Sequence, residues 1–419
     1  MLSGLCNDIK KSYLRRGFKE YRVESFFRTH KYLVEHLFED ATPRLLMQQV
    51  DWSRRLIGIK GARGVGKTTF LLQYAKEYFE LDKRDCLYIN MNQFYFTVRT
   101  IFSFAKEFVE KGGKTLLLDQ VYKYPGWSKE LRECYECLPQ LKIVFTGSTV
   151  NKLGEDAELA SIVDVYNLRG FSYREFLNIQ FGKNFKPYGL DDIINNHREI
   201  AEDIFSEINP LEHLWGYIHH GYYPFFLEKR NFSENLLKTV NMMLEVDVLS
   251  IKQIEMSYLP KLRKLLYLLS LSAPGKPNIS QLSTDCEISR ATVTNYLEYL
   301  RSARLINMLY REGEEFPKKP DMVYMHNTNL IFPLKISDVN DQELRETFFY
   351  NQVHHSDSKL KKGAKSGMFI VENDDKKYKF KIDGQKTRGK HKPEMLYVIA
   401  NLERGDRNII PLWLFGFLY

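Results

Sequence analysis

The chain has 419 residues, a formal net charge of +8 and an aromatic complement of 28 Phe and 26 Tyr, a composition that excludes a disordered tail and leaves room for roughly two to four folded domains. A pI near 8.9 permits a nucleic-acid partner without requiring one, because a charge of this size is also a common solubility device. No apolar run approaches the roughly 18 residues a membrane helix needs, so no membrane partner is expected.

The first 50 residues read as a helical segment, with Tyr13, Phe18, Tyr21, Phe26 and Phe27 among many basic positions. Asp8 and Lys10-Lys11 interrupt any apolar signal core, and five scattered cysteines fit a reducing cytoplasm, so a cytoplasmic location is expected. Leu56, Ile57 and Ile59 then form a short apolar run into Gly61, and G-x-x-x-x-G-K-T closes at Thr68. A helical rhythm follows through Phe70, Leu71, Leu72 and Tyr74. Strand, loop and helix in that order make a phosphate loop. Gly61, Gly64 and Gly66 let backbone N–H groups of Gly61, Ala62, Arg63, Gly64, Val65, Gly66, Lys67, Thr68 and Thr69 curve round a β-phosphate. The helix aims its positive end at the anion, Lys67 reaches the β and γ oxygens, and the Thr68 hydroxyl takes a place on Mg²⁺.

Cys86 to Asn90 reads as a second strand and Ile101 to Lys111 as an amphipathic helix ended by Gly112-Gly113. Lys114 to Asp119 is a near-continuous apolar strand ending on an acid, the pattern of a buried parallel strand with its carboxylate at the ligand-binding edge. Asp119 is therefore the second expected Mg²⁺ residue, with Thr68. A helix from Trp127 carries Cys134-x-x-Cys137, which has no second pair nearby and is expected to face the core. Lys142 to Ser148 is a further buried strand, and Ser148 or Thr149 at its end could sense a γ-phosphate. Val163 to Leu168 is the fifth, with Arg169 after it, and Ser172 with Glu175 has capping-box spacing. Alternating strands and helices give an α/β sheet.

GARGVGKTT, LLLDQVYKYPGW, LKIVFTGST, LRGFSYREF and the GYYP of Gly221 to Pro224 together resemble a prokaryotic family of AAA-type P-loop ATPases. The resemblance covers most of residues 50–390, is strong in the first half and weakens toward the end. It implies a P-loop core, a winged-helix segment and a C-terminal region similar to a PD-(D/E)xK restriction endonuclease. It also implies Asp-Glu where this chain has Asp119-Gln120, an acid where Asn92 stands and a His where Tyr122 stands. Gln has no useful proton affinity, so general-base help worth about 10²–10⁴ in rate is missing. Its carboxamide still offers hydrogen bonds to orient water. Several departures together favour divergence toward slow hydrolysis or none. Gln120, Ser148 and Arg169 are the candidate catalytic or phosphate-sensing residues.

Residues 181–255 read as a helical lid. Residues 256–330 read as a winged helix, with Arg290 to Ala303 as its third helix and wing strands from Arg304 to Tyr310 and Met322 to Met325. Arg290, Thr294 and Asn295 lie on the outer face, where they either enter a DNA major groove or leave the module to pack beside the core. In residues 331–419 Glu346 lies on a helix, and Met368 to Val371 pairs with Tyr378 to Ile382. Gly367-Met368 and Lys381-Ile382-Asp383 stand where a nuclease of the resembled class needs Asp and Glu-x-Lys, so metal-dependent cleavage is not expected. The lysines that remain, Lys379 and Lys381 on one face among them, either track a nucleic-acid backbone or defend a sheet edge.

The expected architecture is an α/β P-loop parallel sheet over 51–180 after an N-terminal segment of 1–50. The lid, the winged helix and a small α/β restriction-endonuclease-like domain follow. The expected function is ATP and Mg²⁺ binding in a nucleotide-dependent switch. An active ATPase using Gln120, a DNA-binding protein regulated by ATP, and a protein partner in a homo- or hetero-oligomer stay open beside it.

Overall fold

A computed structural model describes residues 24–37, 44–149, 156–228, 231–250, 252–335, 338–356, 358–373, 375–384 and 392–419. Tyr13, Phe18 and Tyr21 of the N-terminal segment, and Lys386, Arg388 and Lys390 of the basic stretch, lie outside them. The chain divides into two compact units, Met1–Gly61 with Gly66–Leu168, and Ala62–Val65 with Arg169–Tyr419.

In the first unit, helical residues 24–35 (α1) and Leu45–Gln49 (α2) precede β1 (Leu56–Gly61). Then come α3 (Lys67–Tyr78), β2 (Cys86–Asn90), α4 (Ile101–Glu110), β3 (Thr115–Asp119) and α5 (Trp127–Cys137). The unit closes with β4 (Lys142–Ser148), α6 (Ala157–Ile162) and β5 (Asp164–Asn167). The strands form one parallel sheet in the order β2-β3-β4-β1-β5. Parallel neighbours need crossovers, and the intervening helices supply them. Helices over the sheet explain why β1, β3 and β4 read as apolar runs without alternation, and Ile57, Leu117 and Val144 are all sealed from solvent. One core cluster joins Phe26 of α1, Phe104 of α4 and Leu131 of α5 to Leu116, Leu118 and Phe145 of the sheet.

Local signals behave as their chemistry requires. Thr100 caps α4 by accepting from Ser103 N, and Gly112 beyond its end has φ +90°. Edge strand β2 has its outward Tyr88 N–H taken up by His30 Nδ1 at 3.1 Å, so the sheet edge is tied to α1. One expectation is corrected. Cys134 is buried but Cys137 is exposed, because α5 ends there and Leu138 takes the core position instead.

The second unit opens with α7 (Tyr173–Phe181), started by a capping box in which Ser172 Oγ accepts from Glu175 N and Glu175 Oε2 accepts from Ser172 N, both at 3.1 Å. Next come α8 (Leu190–Glu207), α9 (Pro210–Gly216), α10 (Phe232–Met242) and α11 (Leu259–Ser272), with wide π-type turns at Tyr217–Gly221 and Met243–Ser250. α12 (Ile279–Cys286) and α13 (Arg290–Ser302) are separated by left-handed Glu287, and Ser289 caps α13. β6 (Ile306–Leu309) and β7 (Met322–Met325) form an antiparallel pair. After α14 (Ile331–Leu334), α15 (Asp341–His354) packs on a mixed sheet of β8 (Lys359–Lys362), β9 (Met368–Asn373), β10 (Lys376–Asp383), β11 (Leu396–Ile399) and β12 (Ile409–Pro411). Phe349 of α15 sits 5.2, 5.3 and 4.8 Å from Phe369, Phe380 and Phe415, which anchors helix, sheet and final segment together. That final segment is fastened to α7 and the loop after it, Tyr419 O accepting from Arg174 Nε and Phe417 O from Tyr188 N, each at 2.9 Å.

Candidate functional site

The strand-to-helix loop is built as its residues dictate. Gly64 and Gly66 have φ of +84° and +94°, the left-handed region that a side chain disfavours. Gly66 is the N-cap of α3 and offers no side chain, so the first-turn N–H groups of Lys67, Thr68 and Thr69 face outward from a positive helix end. Lys67 Nζ donates to Gly61 O at 2.8 Å, which folds the ammonium back over the loop. Thr68 is exposed, Thr69 half-buried, and Ala62 and Val65 are buried.

Asp119 is the centre of a hydroxyl network. Its Oδ2 accepts from Thr68 Oγ1 at 2.7 Å and from Tyr88 Oη at 2.9 Å, and its Oδ1 accepts from Thr146 Oγ1 at 2.5 Å. The residue is only 1% exposed, so these bonds meet the requirement that a buried carboxylate be compensated. Burial, then the charge of Asp119, pushes the Tyr88 phenol well up, which keeps it a donor. Gln120 follows in a left-handed conformation (φ +58°), with its N–H held by Thr146 Oγ1 at 2.8 Å. Ser148, 5% exposed, ends β4 opposite Gly61.

Tyr88 and Thr146 were not singled out in the sequence. The signal for Thr146 was the sheet register: Leu118 pairs with Phe145, so the residue after each meets the other at the strand ends. Nothing comparable marked Tyr88, whose role depends on β2 lying beside β3.

Within the second unit, the Arg63 side chain is committed to Asp247, Nε to Oδ2 at 3.0 Å and Nη2 to Oδ1 at 2.9 Å. Its contribution to an anion site is therefore its backbone. Arg169 places its guanidinium over the Tyr419 ring, 5.7 Å from the centroid. On α13, Arg290 and Asn295 are exposed and Thr294 is half-buried with its hydroxyl bonded to Arg290 O, so the three share one accessible face. Glu298 on the same helix is paired with Arg301.

The C-terminal sheet presents less free charge than its lysine count suggests. Lys376 pairs with Asp191, Lys377 with Glu312 and Glu372, and Lys381 with Asp383. Glu346 is buried, accepts from Tyr324 Oη at 3.0 Å and Gln342 Nε2 at 2.9 Å, and is pushed up by burial. Among the described residues, no three His, Cys, Asp or Glu side chains converge as a metal-holding group. No helix among them is long and apolar enough to cross a membrane.

Comparison with known proteins adds the following. Residues 53–177 match the family model described as AAA domain, and residues 211–323 match one described as Domain of unknown function (DUF8612). The uncharacterized protein MJ1637 of Methanocaldococcus jannaschii is 26% identical over 274 residues, covering 62% of this chain and 58% of that protein. The chain thus aligns with little more than half the length of this relative. Among solved structures, PCH-2 of C. elegans aligns with 37% of this chain and 43% of its own at 18% identity and a TM-score of 0.24, a likeness too slight to carry an argument. The parallel sheet and the strand-to-helix loop both lie within the segment that matches the AAA domain model, residues 53–177.

Proposed function

We propose that this protein binds Mg-ATP in the Gly61–Thr69 loop and acts as a nucleotide-dependent switch whose hydrolysis is slow or absent. The observation that carries the reading is the Thr68–Asp119 bond of 2.7 Å beside the uncapped start of α3, followed in sequence by Gln120 in place of an acid. A hydroxyl and a carboxylate are the hard oxygen donors Mg²⁺ takes, so the residues fit that ion, with Thr68 as direct ligand and Asp119 behind it. When bound, the ion would supply charge neutralisation to the triphosphate. Lys67 adds the compensating charge, the α3 N–H groups cradle the β-phosphate, and Ser148 senses the γ-phosphate.

Gln120 decides turnover. Its amide neither accepts a proton from water nor carries charge, so at best it orients a nucleophile. A second reading, an active ATPase with Gln120 as water-orienting residue, is favoured by the anchoring of its backbone on Thr146. Under both readings the second unit supplies the responding part, with α12, α13 and the β6–β7 pair as a winged helix and the C-terminal sheet as a degenerate nuclease-like domain. Arg290, Thr294 and Asn295 are then the residues for a DNA contact, if duplex binding with a salt slope is measured.

The test is single-turnover ATP hydrolysis by the wild type and by Gln120→Glu, with Mg-dependent ATP binding measured in parallel. A Glu variant faster by about 10²–10⁴ with unchanged affinity is expected. Equal rates in the two would remove the switch reading, and absence of Mg-ATP binding would remove both.

A further inference from the structure

Gly221 to Pro224 is distinctive in the sequence, and none of the preceding chemistry uses it. The segment is anchored on both sides. A Cβ at Gly221 would lie 2.5 Å from the Tyr217 ring and 2.8 Å from that of Phe176, so glycine is what lets the chain run against them. Tyr222 N donates to Asn329 Oδ1 at 2.9 Å, and Tyr222 O accepts from Phe171 N at 2.8 Å. Tyr223 is sealed from solvent, and its Oη accepts from Asn327 Nδ2 at 3.2 Å. Its carbonyl accepts from Phe226 N at 3.1 Å, which opens the tight turn Pro224–Glu228 that carries Phe225.

These anchors bring two rings to the tip of the phosphate loop. The tip, Ala62–Val65, belongs to the second unit, as does every residue named with it below. Gly64 stands at φ +84°, and a Cβ there would meet Phe225 Cε1 at 3.2 Å and both Tyr223 Cδ1 and Thr239 Cγ2 at 3.4 Å. The half-buried Phe225 ring is stacked on Tyr223, with centroids 5.3 Å apart and planes at 22°, and Phe232 backs it at 5.1 Å. Thr239 turns its methyl to Gly64 because its hydroxyl donates to Asn235 O at 2.8 Å. One residue before Gly64, Arg63 is tied to Asp247.

Glycine loses more conformational freedom on ordering than any other residue, so a glycine loop is costly to hold in one shape. Left to itself, such a loop has its N–H groups turned to a phosphate for only a fraction of the time, and affinity falls by that fraction. Two rings and a methyl against Gly64 restrict it by contact alone. They consume no N–H donor, so the loop's hydrogen bonds stay available to an anion.

We propose that Phe225 and Tyr223 are positioning residues for nucleotide binding: their stacked rings hold Gly64 in its left-handed conformation, and the loop keeps its phosphate-cradling shape with or without a ligand. This role rests on the Mg-ATP reading above. Through the loop backbone the rings act on the polyphosphate and leave the base untouched.

The experiment is calorimetric titration of the full chain, with Mg²⁺ present, against ATP and against inorganic tripolyphosphate, in wild type, Phe225→Ala and Phe225→Leu. A thermal melt confirms that each variant is folded at the titration temperature. Phe225→Ala should weaken both ligands by the same factor, about tenfold, and Phe225→Leu, which restores bulk against Gly64, should recover most of the loss. Loss confined to ATP, or a wild type that takes ATP but not tripolyphosphate, would shift recognition to the nucleoside and overturn the role. Unchanged affinities in Phe225→Ala, or a Leu variant no better than the Ala one, would overturn it too. A wild type that binds neither ligand would remove the Mg-ATP reading itself. Stopped-flow binding of ATP to the unaltered chain, followed by its tryptophan fluorescence, stands beside the variants. An observed rate that rises with ATP concentration is expected of a preformed loop. A rate that falls as ATP rises marks a loop that must first adopt its shape, and would overturn the role.

Discussion

Arg63 holds Asp247 through two side-by-side hydrogen bonds of 3.0 and 2.9 Å, across 184 residues of sequence. A residue from the middle of the phosphate loop is thereby fixed to the wide helical turn after α10, with the acid 5% and the arginine 22% exposed. A bidentate pair of this burial costs little while intact and much when halved, since the surviving charge stays desolvated.

Asp247→Asn is expected to lower stability by about 3 kcal/mol and weaken ATP binding through the loosened loop, read by urea unfolding and by nucleotide titration. Arg63→Met with Asp247→Leu should recover most of the stability, because no buried charge is then left alone. A single variant as stable as the wild type would show that the pair does not restrain the loop.

Lys67→Ala tests the loop from its charged end. The side chain is half-buried and its bond to Gly61 O is local, so the unfolding free energy should stay within about 0.5 kcal/mol of wild type. ATP affinity should fall at least about tenfold, since a charge-assisted contact to the phosphates is removed.

For Asp119→Asn the expectations are reversed in balance. The amide nitrogen cannot accept from the three hydroxyls of Thr68, Tyr88 and Thr146 as the carboxylate does, so about 1–3 kcal/mol of stability should be lost. ATP affinity should also become insensitive to Mg²⁺, which titrations with the metal and with EDTA would reveal. Retained Mg²⁺ dependence would place the ion elsewhere.

Acid should loosen α1 from the sheet. Burial lowers His30 to about 4 from an ordinary 6.5, and its Nδ1 must stay unprotonated to accept from Tyr88 N. Between those values the unfolded chain binds a proton that the folded chain refuses, so stability falls as pH drops from about 6.5 to 4 and this contribution levels off below. The loss is about 3 kcal/mol over the window at most, and His30→Gln should flatten the slope measured by unfolding at stepped pH.

Much of the first unit was legible in the chain because its signals are short-range. Strand, glycine loop and helix succeed one another within Leu56–Tyr78, and Asp119 ends an apolar run that only a covered parallel strand tolerates. In the second unit, Ser172 and Glu175 announced a helix start that the structure contains. Helix-end and strand-end residues were harder: Cys137 is exposed because α5 stops one residue before Leu138 turns inward, a difference of a single position.

What sequence determined by itself was the phosphate loop, the α/β alternation and the Gln that follows Asp119, since each is a property of neighbouring residues. Tertiary structure decided what those residues do. It gave Asp119 the Tyr88 and Thr146 hydroxyls, took Arg63 out of side-chain anion binding by pairing it with Asp247, and neutralised Lys376, Lys377 and Lys381 with acids. It also drew His354 to the guanidinium of Arg304 and Tyr419 beneath that of Arg169. A charge shows its type in sequence but its partner only in space, and the partner fixes whether that charge is spent on the fold or left for a ligand.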